Sequence, residues 1–186
     1  MRIISGTLKG KSINFIKSIK TRPLKDSVRE NIFNILKHSN FINPMIENSN
    51  ILDLYSGIGS FGIECISRGA KKVTFIEQDK NITSILKNNL ISLSVMDKSQ
   101  IYNNKIEDIL IRKIDEKFDF IFLDPPFSDL NFLQNLELIK KKKLFNKNHI
   151  LIIHREKKTN DNFTDLFELL AEKQYGRSKI IFGIFS

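Results

Sequence analysis

The stretch that decides the fold runs from residue 50 to residue 69 and reads NILDLYSGIGSFGIECISRG. Its first six residues are mostly apolar and predict a buried strand, and its last ten have the apolar spacing of a helix. Between them, Gly57, Gly59 and Gly62 fit the pattern G-x-G-x-x-G. Glycines let the backbone turn sharply and approach a ligand closely. The stretch therefore predicts a strand, a ligand-binding turn and a helix.

The same alternation of strand and helix continues to the end of the chain. Further strands are predicted in KKVTFIEQD, QIYNN, FDFIFLD and NHILIIHR, and further helices in KNITSILKNNL, IEDILIRKI, DLNFLQNLELIKKKK and NFTDLFELLAE. The final stretch, KQYGRSKIIFGIF, is typical of two strands around a turn at Tyr175-Gly176. Alternating strands and helices indicate a Rossmann-like α/β fold with a mostly parallel sheet, here closed by an antiparallel C-terminal hairpin.

A smaller unit is predicted before this alternation. MRIIS and KSINFI are strand-like and flank Gly6 and Gly10, which indicates a small hairpin. TRPLKDSVRENIFNILKH then predicts a helix that begins either with a capping box of Ser27 and Glu30 or with Asp26 as N-cap. We therefore expect an N-terminal hairpin and helix at residues 1–40 and a Rossmann-like domain at 41–186.

Composition narrows the class of protein. The chain has 186 residues, a formal net charge of +9 and a single cysteine, Cys65, which excludes an intrachain disulfide and a cysteine-cluster metal site. No apolar run is long enough to span a bilayer, and MRIISGTLKGKS lacks a signal-peptide core, so we expect a cytoplasmic protein. The histidines, at positions 38, 149 and 154, have no ligand spacing, so no metal is expected.

Positive charge is concentrated in two blocks. Residues 1–50 carry nine basic against three acidic side chains, and residues 140–158 carry eight against one. A basic surface attracts polyanions, of which nucleic acid is the commonest. A lysine-rich composition with solvated lysines would give the same numbers, so the charge alone leaves both interpretations open.

Two acidic residues near the glycine turn indicate that the turn binds a cofactor. Glu77 ends the second predicted strand, 20 residues after Gly57, where a carboxylate can bind both hydroxyls of a ribose. This pattern fits a nicotinamide enzyme or an S-adenosylmethionine (SAM) enzyme. Asp53, four residues before Gly57, suits a cationic ligand better than a pyrophosphate, which favours SAM.

The stretch FDFIFLDPPF (118–127) predicts a second site beside the first. An acid at the end of a buried parallel strand lies on the same edge of the sheet as the glycine turn. The Asp124 carboxylate and the Pro125 carbonyl can accept the two N–H bonds of a planar amine, and Pro126 stiffens that backbone. Phe127 offers a face on which an extruded base can stack. The pattern predicts a site for an exocyclic amine.

These motifs together resemble a known family. The pair LDLYSGIGSFGIE and FDFIFLDPPF is similar to SAM-dependent amino-methyltransferases. MRIISGTLKGKSI, TRPLKDSVRENIFNIL, SRGAKKVTFIEQD and QYGRSKIIF resemble the RsmD family, which methylates the N2 amine of a guanine in bacterial 16S rRNA. The resemblance covers nearly the whole chain and implies the class I methyltransferase form of the Rossmann-like fold, with SAM as cofactor.

The resemblance also implies roles for individual residues. The methionine end of SAM would be surrounded by Asp53, Tyr55, Ser56, Gly57 and Gly59, while Glu77 would bind the ribose and Asn103 would lie near the adenine, in a register open against Asn104. The target guanine would be held by Asp124, Pro125, Pro126 and Phe127. Contacts to RNA are expected from Lys9, Lys11, Arg22 and Arg29. The partner would be 16S rRNA or a small-subunit assembly particle, bound by a monomer.

Three other functions remain open on the sequence. A DNA adenine-N6 or protein-glutamine methyltransferase would present the same amine site. An NAD-dependent oxidoreductase would use the same glycine turn. A non-enzymatic RNA-binding protein with a vestigial site would keep the two basic blocks but would not catalyse methyl transfer.

Overall fold

The strands of the chain form one seven-stranded sheet in the computed structural model, which describes residues 1–15, 24–40 and 42–186. In chain order the strands are β1 (Asn50–Leu54), β2 (Lys72–Ile76), β3 (Ser99–Tyr102), β4 (Phe118–Leu123), β5 (Phe145–Glu156), β6 (Glu168–Tyr175) and β7 (Ser178–Ile184). The helices are α1 (Asp26–His38), α2 (Ser60–Ser67), α3 (Lys80–Ser92), α4 (Ile106–Arg112) and α5 (Phe132–Lys142). The predicted α/β class is confirmed.

The order of the strands determines which strand ends lie together at one edge of the sheet. Across the sheet the order is β3-β2-β1-β4-β5-β7-β6. Strands β1 to β5 pair in parallel, and β7 pairs antiparallel with both β5 and β6. The carboxyl ends of β1, β2, β4 and β5 therefore meet on one edge, where ligands bind in open α/β sheets.

Apolar side chains cover both faces of the central strands. On β4, Phe120 and Phe122 join one hydrophobic cluster, whereas Ile121 and Leu123 join the other. The first cluster is shared with α1, α2 and α3, and the second with α4 and α5. Successive side chains of a strand point to opposite faces, so a strand covered on both sides needs a continuous apolar run. None of the helices in the described residues is long and apolar enough to cross a membrane.

One predicted helix is wrong. NFTDLFELLAE, residues 162–172, was expected to be helical, but it contains turns followed by the first residues of β6. Strand β6 pairs with β7 from Glu168↔Ile184 to Tyr175↔Ser178, with an irregularity between Leu169 and Ala171. The predicted turn at Tyr175-Gly176 is confirmed, and the hairpin extends further back than the sequence indicated. Pairing with β7 outweighs the local preference for a helix.

The N-terminal residues pack against α2. In the described part of the predicted hairpin, Arg2 and Ser12 form an antiparallel bridge, and the amides of Ile3 and Ile13 donate to the carbonyls of Lys11 and Met1, each over 3.0 Å. The buried Glu64 carboxylate accepts hydrogen bonds from the amides of Ile4 (2.8 Å) and Ser5 (3.0 Å). Helix α1 begins after Lys25 without a side-chain cap, so neither predicted cap forms.

Gly6 packs closely against the backbone of Ser67, and replacing Gly6 by alanine tests this packing. A Cβ at Gly6 would lie 1.8 Å from the backbone oxygen of Ser67, whereas a Cβ at Gly10 would meet nothing within 4 Å. Both glycines have a φ near +82° (+82° and +83°). We expect Gly10→Ala to cost about 1–2 kcal/mol of stability, the strain of a left-handed non-glycine residue, and Gly6→Ala to cost clearly more. Urea denaturation of both variants measures the difference, and equal losses would contradict the packing described.

Candidate active site

A large cleft opens at the carboxyl edge of the sheet. Its volume is about 1040 Å³, and it is lined by residues that follow β1, β2 and β4, by His154 near the end of β5 and by the start of β7. The lining includes most of the predicted site residues, namely Tyr55, Ser56, Gly57, Glu77, Asp124, Pro125, Pro126 and Phe127. Phe15, Leu24 and Lys25 contribute from the N-terminal part of the chain. The glycine turn and the DPPF stretch thus face one common space.

The turn after β1 is built from left-handed residues. Tyr55, Gly57 and Gly59 have φ values of 56°, 55° and 85°. A Cβ at Gly59 would lie 2.4 Å from Cδ1 of Leu86, so this glycine allows the turn to pack on α3. A Cβ at Gly57 would meet no protein atom within 4 Å, so it would enter the open cleft. Gly59 is therefore required by packing, and Gly57 leaves space for a ligand.

Tyr55 is the one bulky residue in this left-handed turn. Left-handed backbone is unusual for such a side chain and is found most often at functional sites. Its hydroxyl accepts a hydrogen bond from Nδ2 of Asn135, on α5, over 3.0 Å. Burial, together with the charge of Asp129, raises the pKa of the Tyr55 phenol, so the group stays neutral.

Glu77 connects the ends of β1 and β2. Its carboxylate accepts hydrogen bonds from the amides of Gly57 (3.0 Å) and Asp79 (2.8 Å). Burial raises the pKa of Glu77 from its ordinary value, although these two amides oppose the shift. Each carboxylate oxygen retains a lone pair, so a hydroxyl donor in the cleft can still bind.

Asp53 lies below the turn and does not line the cleft. The side chain is buried, and its Oδ2 accepts a hydrogen bond from the amide of Gly62 over 3.0 Å. Its Oδ1 is buried without a hydrogen-bond partner among the described residues. Burial raises the pKa of Asp53 well above its ordinary value, and the charges of Asp124 and Glu77 act in the same direction. A positive charge nearby would stabilise the ionised form.

Asp124 stands at the end of β4, beside the end of β1. Its amide lies 3.4 Å from the carbonyl oxygen of Leu54, and its side chain is 21 % exposed. Oδ1 is 2.7 Å from Nδ1 of His154, near the end of β5. The carboxylate is therefore neither in the core nor turned away from the glycine turn, and it lines the same cleft.

A buried arginine fixes the two residues after Pro125. Arg155 donates hydrogen bonds to the carbonyls of Pro126 (3.1 Å) and Phe127 (3.0 Å), and to both carboxylate oxygens of Asp161, each over 2.9 Å. It has no exposed surface. Arg155 belongs to the basic block at residues 140–158, whose charge alone left polyanion binding and solvated cover both open. Arg155 instead holds the DPPF backbone, a role that its sequence position does not reveal because its carbonyl partners lie 28 and 29 residues away.

Several predicted residues lie elsewhere. Gly59 does not line the cleft, because it packs on α3. Asn103 also lies outside the lining, and its amide donates to the carbonyls of Glu77 (2.9 Å) and Gln78 (3.1 Å), which holds the loop after β2. Lys9 and Lys11 are exposed on the N-terminal segment. Arg22 falls outside the described residues.

The expectation that Arg29 contacts RNA needs correction. Its side chain has no exposed surface. It donates to Oδ1 of Asp26 over 3.0 Å, and its Nε lies 3.8 Å from the buried carboxylate of Glu64. Burial lowers the pKa of Arg29, while the charges of Asp26 and Glu64 act in the opposite direction. The positive charge of Arg29 is used inside the protein.

Known proteins provide an independent comparison. A family model described as "Conserved hypothetical protein 95" matches residues 1–184. "Ribosomal RNA small subunit methyltransferase D" of Haemophilus influenzae is 35% identical over 182 residues, which is 95% of this chain and 89% of that protein. The protein of the same name from Buchnera aphidicola subsp. Baizongia pistaciae is 32% identical over 185 residues, 100% of this chain and 91% of that protein.

Similarity extends to solved structures. The structure of the Escherichia coli protein yhhF superposes with a TM-score of 0.82 at 25% identity, and the alignment covers 100% of this chain and 98% of that chain. Family model, relatives and fold agree over the whole length, which confirms the resemblance seen in the motifs. The chain therefore belongs to the family of the ribosomal RNA small subunit methyltransferase D proteins.

Proposed function

We propose that this protein transfers a methyl group from SAM to the N2 amine of a guanine in 16S rRNA, as a monomer in the cytoplasm. One observation carries the proposal: the carboxylate of Asp124 and the glycine turn at Gly57 line the same cleft. Relatives over the whole chain bear the name of an rRNA small subunit methyltransferase. The choice of guanine N2 rests on the family resemblance.

The cleft suits a cationic cofactor. Its described acidic residues are Glu77, Asp79, Glu107, Asp124 and Asp129. This local excess of carboxylates in a protein with a net charge of +9 favours a positively charged ligand at this point. The free space beside Gly57 and the unpaired Oδ1 of Asp53 below the turn fit the same ligand.

SAM supplies a methyl group already activated on a positively charged sulfur. In this proposal Glu77 binds the ribose hydroxyls with its remaining lone pairs. Tyr55, Ser56 and Gly57 enclose the amino-acid end, and Asp53 stabilises its charge from below. The task left to the protein is positioning, which is worth up to about 7–11 kcal/mol when reactants are well oriented.

The target amine would be held by two acceptors. The Asp124 carboxylate accepts one N–H, and the Pro125 carbonyl accepts the other. No described residue donates a hydrogen bond to the Pro125 carbonyl, so that oxygen is available. Two acceptors on the N–H bonds favour a pyramidal nitrogen and expose its lone pair. As the new N–C bond forms, the bond between the methyl carbon and the sulfur of SAM would break and S-adenosylhomocysteine would leave. The methylated nitrogen would then lose one proton through Asp124 to water.

Phosphates of the RNA would be met by cations at the rim of this acidic cleft. Among the described residues that line it, the lysine and arginine side chains are those of Lys25, Lys105 and Arg177, and all three residues are exposed. Phosphate contacts fix position without reading sequence. We propose that the rim and the N-terminal segment at residues 1–40, with Lys9 and Lys11, together hold the RNA.

Removing rim cations tests this arrangement. We expect Lys25→Ala and Lys105→Ala each to reduce the slope of log affinity against log salt by about 0.7–0.9, the effect of one lost phosphate contact. Lys98→Ala is the matched control, because Lys98 is exposed and precedes β3 at the opposite edge of the sheet. Fluorescence anisotropy with a labelled 16S fragment, titrated at several salt concentrations, gives the slopes. Identical slopes for the three variants would show that Lys25 and Lys105 do not contact RNA phosphates.

A pair of glycine variants tests the cofactor site. Gly57 (φ +55°) and Gly59 (φ +85°) both have left-handed backbone, so alanine at either position should cost about 1–2 kcal/mol of stability. Gly57→Ala should in addition weaken SAM binding by about tenfold or more, because the methyl group enters the cleft. Gly59→Ala should lower the melting temperature further than Gly57→Ala, because its Cβ would lie 2.4 Å from Cδ1 of Leu86. Calorimetric titration with SAM and thermal melts, run on both variants, separate the two effects. Unchanged SAM affinity in Gly57→Ala would place the cofactor elsewhere.

The function itself is tested by mapping methylation. The purified protein is incubated with SAM that carries a labelled methyl group and with 16S rRNA, small-subunit particles, DNA or protein. We expect label in a single guanine of rRNA, as N2-methylguanine. Label only in adenine or glutamine would identify a related amino-methyltransferase. Binding of NAD without SAM binding, or of RNA without methyl incorporation, would reject the proposal.

A further inference from the structure

His154 connects the candidate amine site to the last strand of the sheet. It is 7 % exposed and lies two residues before the end of β5, one residue beyond the Leu123↔Ile153 pair that aligns β4 with β5. Its Nδ1 is 2.7 Å from Oδ1 of Asp124, and its Nε2 is 2.9 Å from Oγ of Ser178. Both ring nitrogens are therefore engaged, and the ring cannot rotate without losing two hydrogen bonds.

The neighbours of the ring determine which nitrogen carries the proton. An ionised carboxylate only accepts hydrogen bonds, so Nδ1 must donate to Asp124. In the neutral ring Nε2 then accepts the hydroxyl hydrogen of Ser178, because that hydroxyl can donate as well as accept. This tautomer follows from the hydrogen-bond network.

The same imidazole also touches the aromatic side of the site. The rings of Phe127 and His154 meet edge to face, with centroids 5.8 Å apart and planes at 77°. One side chain thus contacts both the acceptor and the aromatic plate of the DPPF stretch. Arg155, the next residue, holds the backbone of that stretch from the other side of the strand.

We propose that His154 is a positioning residue for methyl transfer. By occupying Oδ1 of Asp124, it fixes the carboxylate so that Oδ2 is left to accept the N–H of the target amine. This inference rests on the proposed function, because it assigns to His154 the orientation of the group that holds the substrate. Ser178 anchors the ring through Nε2.

Two substitutions separate the two bonds of the ring. The amide nitrogen of asparagine can occupy the place of Nδ1, so His154→Asn keeps a donor for Asp124 and loses Ser178. The amide oxygen of glutamine reaches the place of Nε2 and can accept the Ser178 hydroxyl hydrogen, so His154→Gln keeps Ser178 and loses Asp124. If His154 were merely structural, both substitutions would lower kcat equally, or each would lower it in proportion to the stability that it costs.

The expected result is a difference in kcat. We expect His154→Gln and His154→Ala to lower kcat by about 10–100-fold, the usual effect of removing a group that orients a functional ligand. SAM affinity should stay within about threefold, and the RNA KM should change little. His154→Asn should keep kcat within about fivefold of the unchanged protein. Equal kcat for His154→Asn and His154→Gln in an active enzyme would overturn the role of His154 alone. No methyl transfer by the unchanged protein to any amine would overturn the proposed function and this inference with it.

A measurement without turnover keeps the inference testable if the variants fold poorly. Nitrogen NMR of the unchanged protein at about pH 8 distinguishes a protonated from an unprotonated ring nitrogen. We expect a proton on Nδ1 of His154 and none on Nε2. The opposite tautomer would show that the ring does not donate to Asp124 and would overturn the inference.

Discussion

Replacing Asp124 by alanine or asparagine is expected to remove nearly all methyl transfer while SAM binding survives. Loss of one preorganised group at a reacting centre typically costs about 10²–10³ in kcat, and Asp124 is proposed both to hold the amine and to take its proton. Asparagine keeps the size of the side chain but places a donor where the amine needs an acceptor. The Asp124 side chain is partly exposed at the end of β4, so its removal costs the hydrogen bond to His154 and no core packing.

The Asp124 variants need a control in which a carboxylate without a proposed function is replaced. Asp115→Asn provides it, because the Asp115 side chain is fully exposed, and its ion pair with Lys142 spans 4.0 Å. Methyl incorporation from labelled SAM and calorimetric SAM titration are measured for all three variants. Turnover by Asp124→Ala near that of Asp115→Asn would end the proposed role of the DPPF stretch.

Removing the charge of the Glu64 carboxylate is expected to lower the stability of the protein strongly. Glu64 is fully buried on α2 and pairs with Arg68 over 2.9 Å and with Arg29 over 3.8 Å. Breaking a buried ion pair on one side typically costs about 3–5 kcal/mol, because the other charge stays buried. The amides of Ile4 and Ser5 would lose their acceptor as well.

Glu64→Gln and Glu30→Ala make the test specific. Glutamine keeps the volume of Glu64 and removes its charge, whereas Glu30 is an exposed acid on α1. Urea denaturation gives the change in stability, and hydrogen exchange reports whether the Ile4 and Ser5 amides open before the rest of the chain. A loss below about 1 kcal/mol for Glu64→Gln would mean that hydrogen bonding, and not charge, holds the N-terminal segment.

The central strands were predictable because burial on both faces requires a continuous apolar run. FDFIFL and NILDL carry that pattern in their own residues, and the parallel sheet follows from the alternation with helices. The meeting of the glycine turn with DPPF followed from the same rule, since parallel strands bring their carboxyl ends to one edge. These parts of the fold and site depend on local sequence and a general topology.

Edge elements were less predictable. Strand β6 is largely exposed, so its residues ELLAEKQY lack the buried face that marks a strand, and their spacing also fits a helix. Only β7, which follows in sequence, supplies its partner. The caps of α1 failed for a similar reason, since the helix begins one residue before Ser27 and leaves Asp26 to pair with Arg29.

Buried charges were the hardest feature to anticipate. Arg29 and Arg155 look like solvent-exposed bases in the sequence, because nothing nearby shows that Glu64 and the carbonyls of DPPF will surround them. A usable signal existed for His154: it lies near the end of a strand beside the strand of Asp124, and strand ends on one edge lie close together. Applying the rule that placed Asp124 to the next strand would have placed His154 in the cleft.

Asn89, buried on α3, connects the N-terminal segment with the glycine turn. Its side chain exchanges hydrogen bonds with both backbone groups of Asn14, accepting over 2.9 Å and donating over 3.1 Å. The same amide lies 3.3 Å from the carbonyl of Ile58 in the glycine turn. A displacement of one region is therefore felt by the other through a single rigid amide. Linkage is reciprocal. If RNA bound to the N-terminal segment changes the affinity for the cofactor by some factor, the bound cofactor changes the affinity for RNA by the same factor.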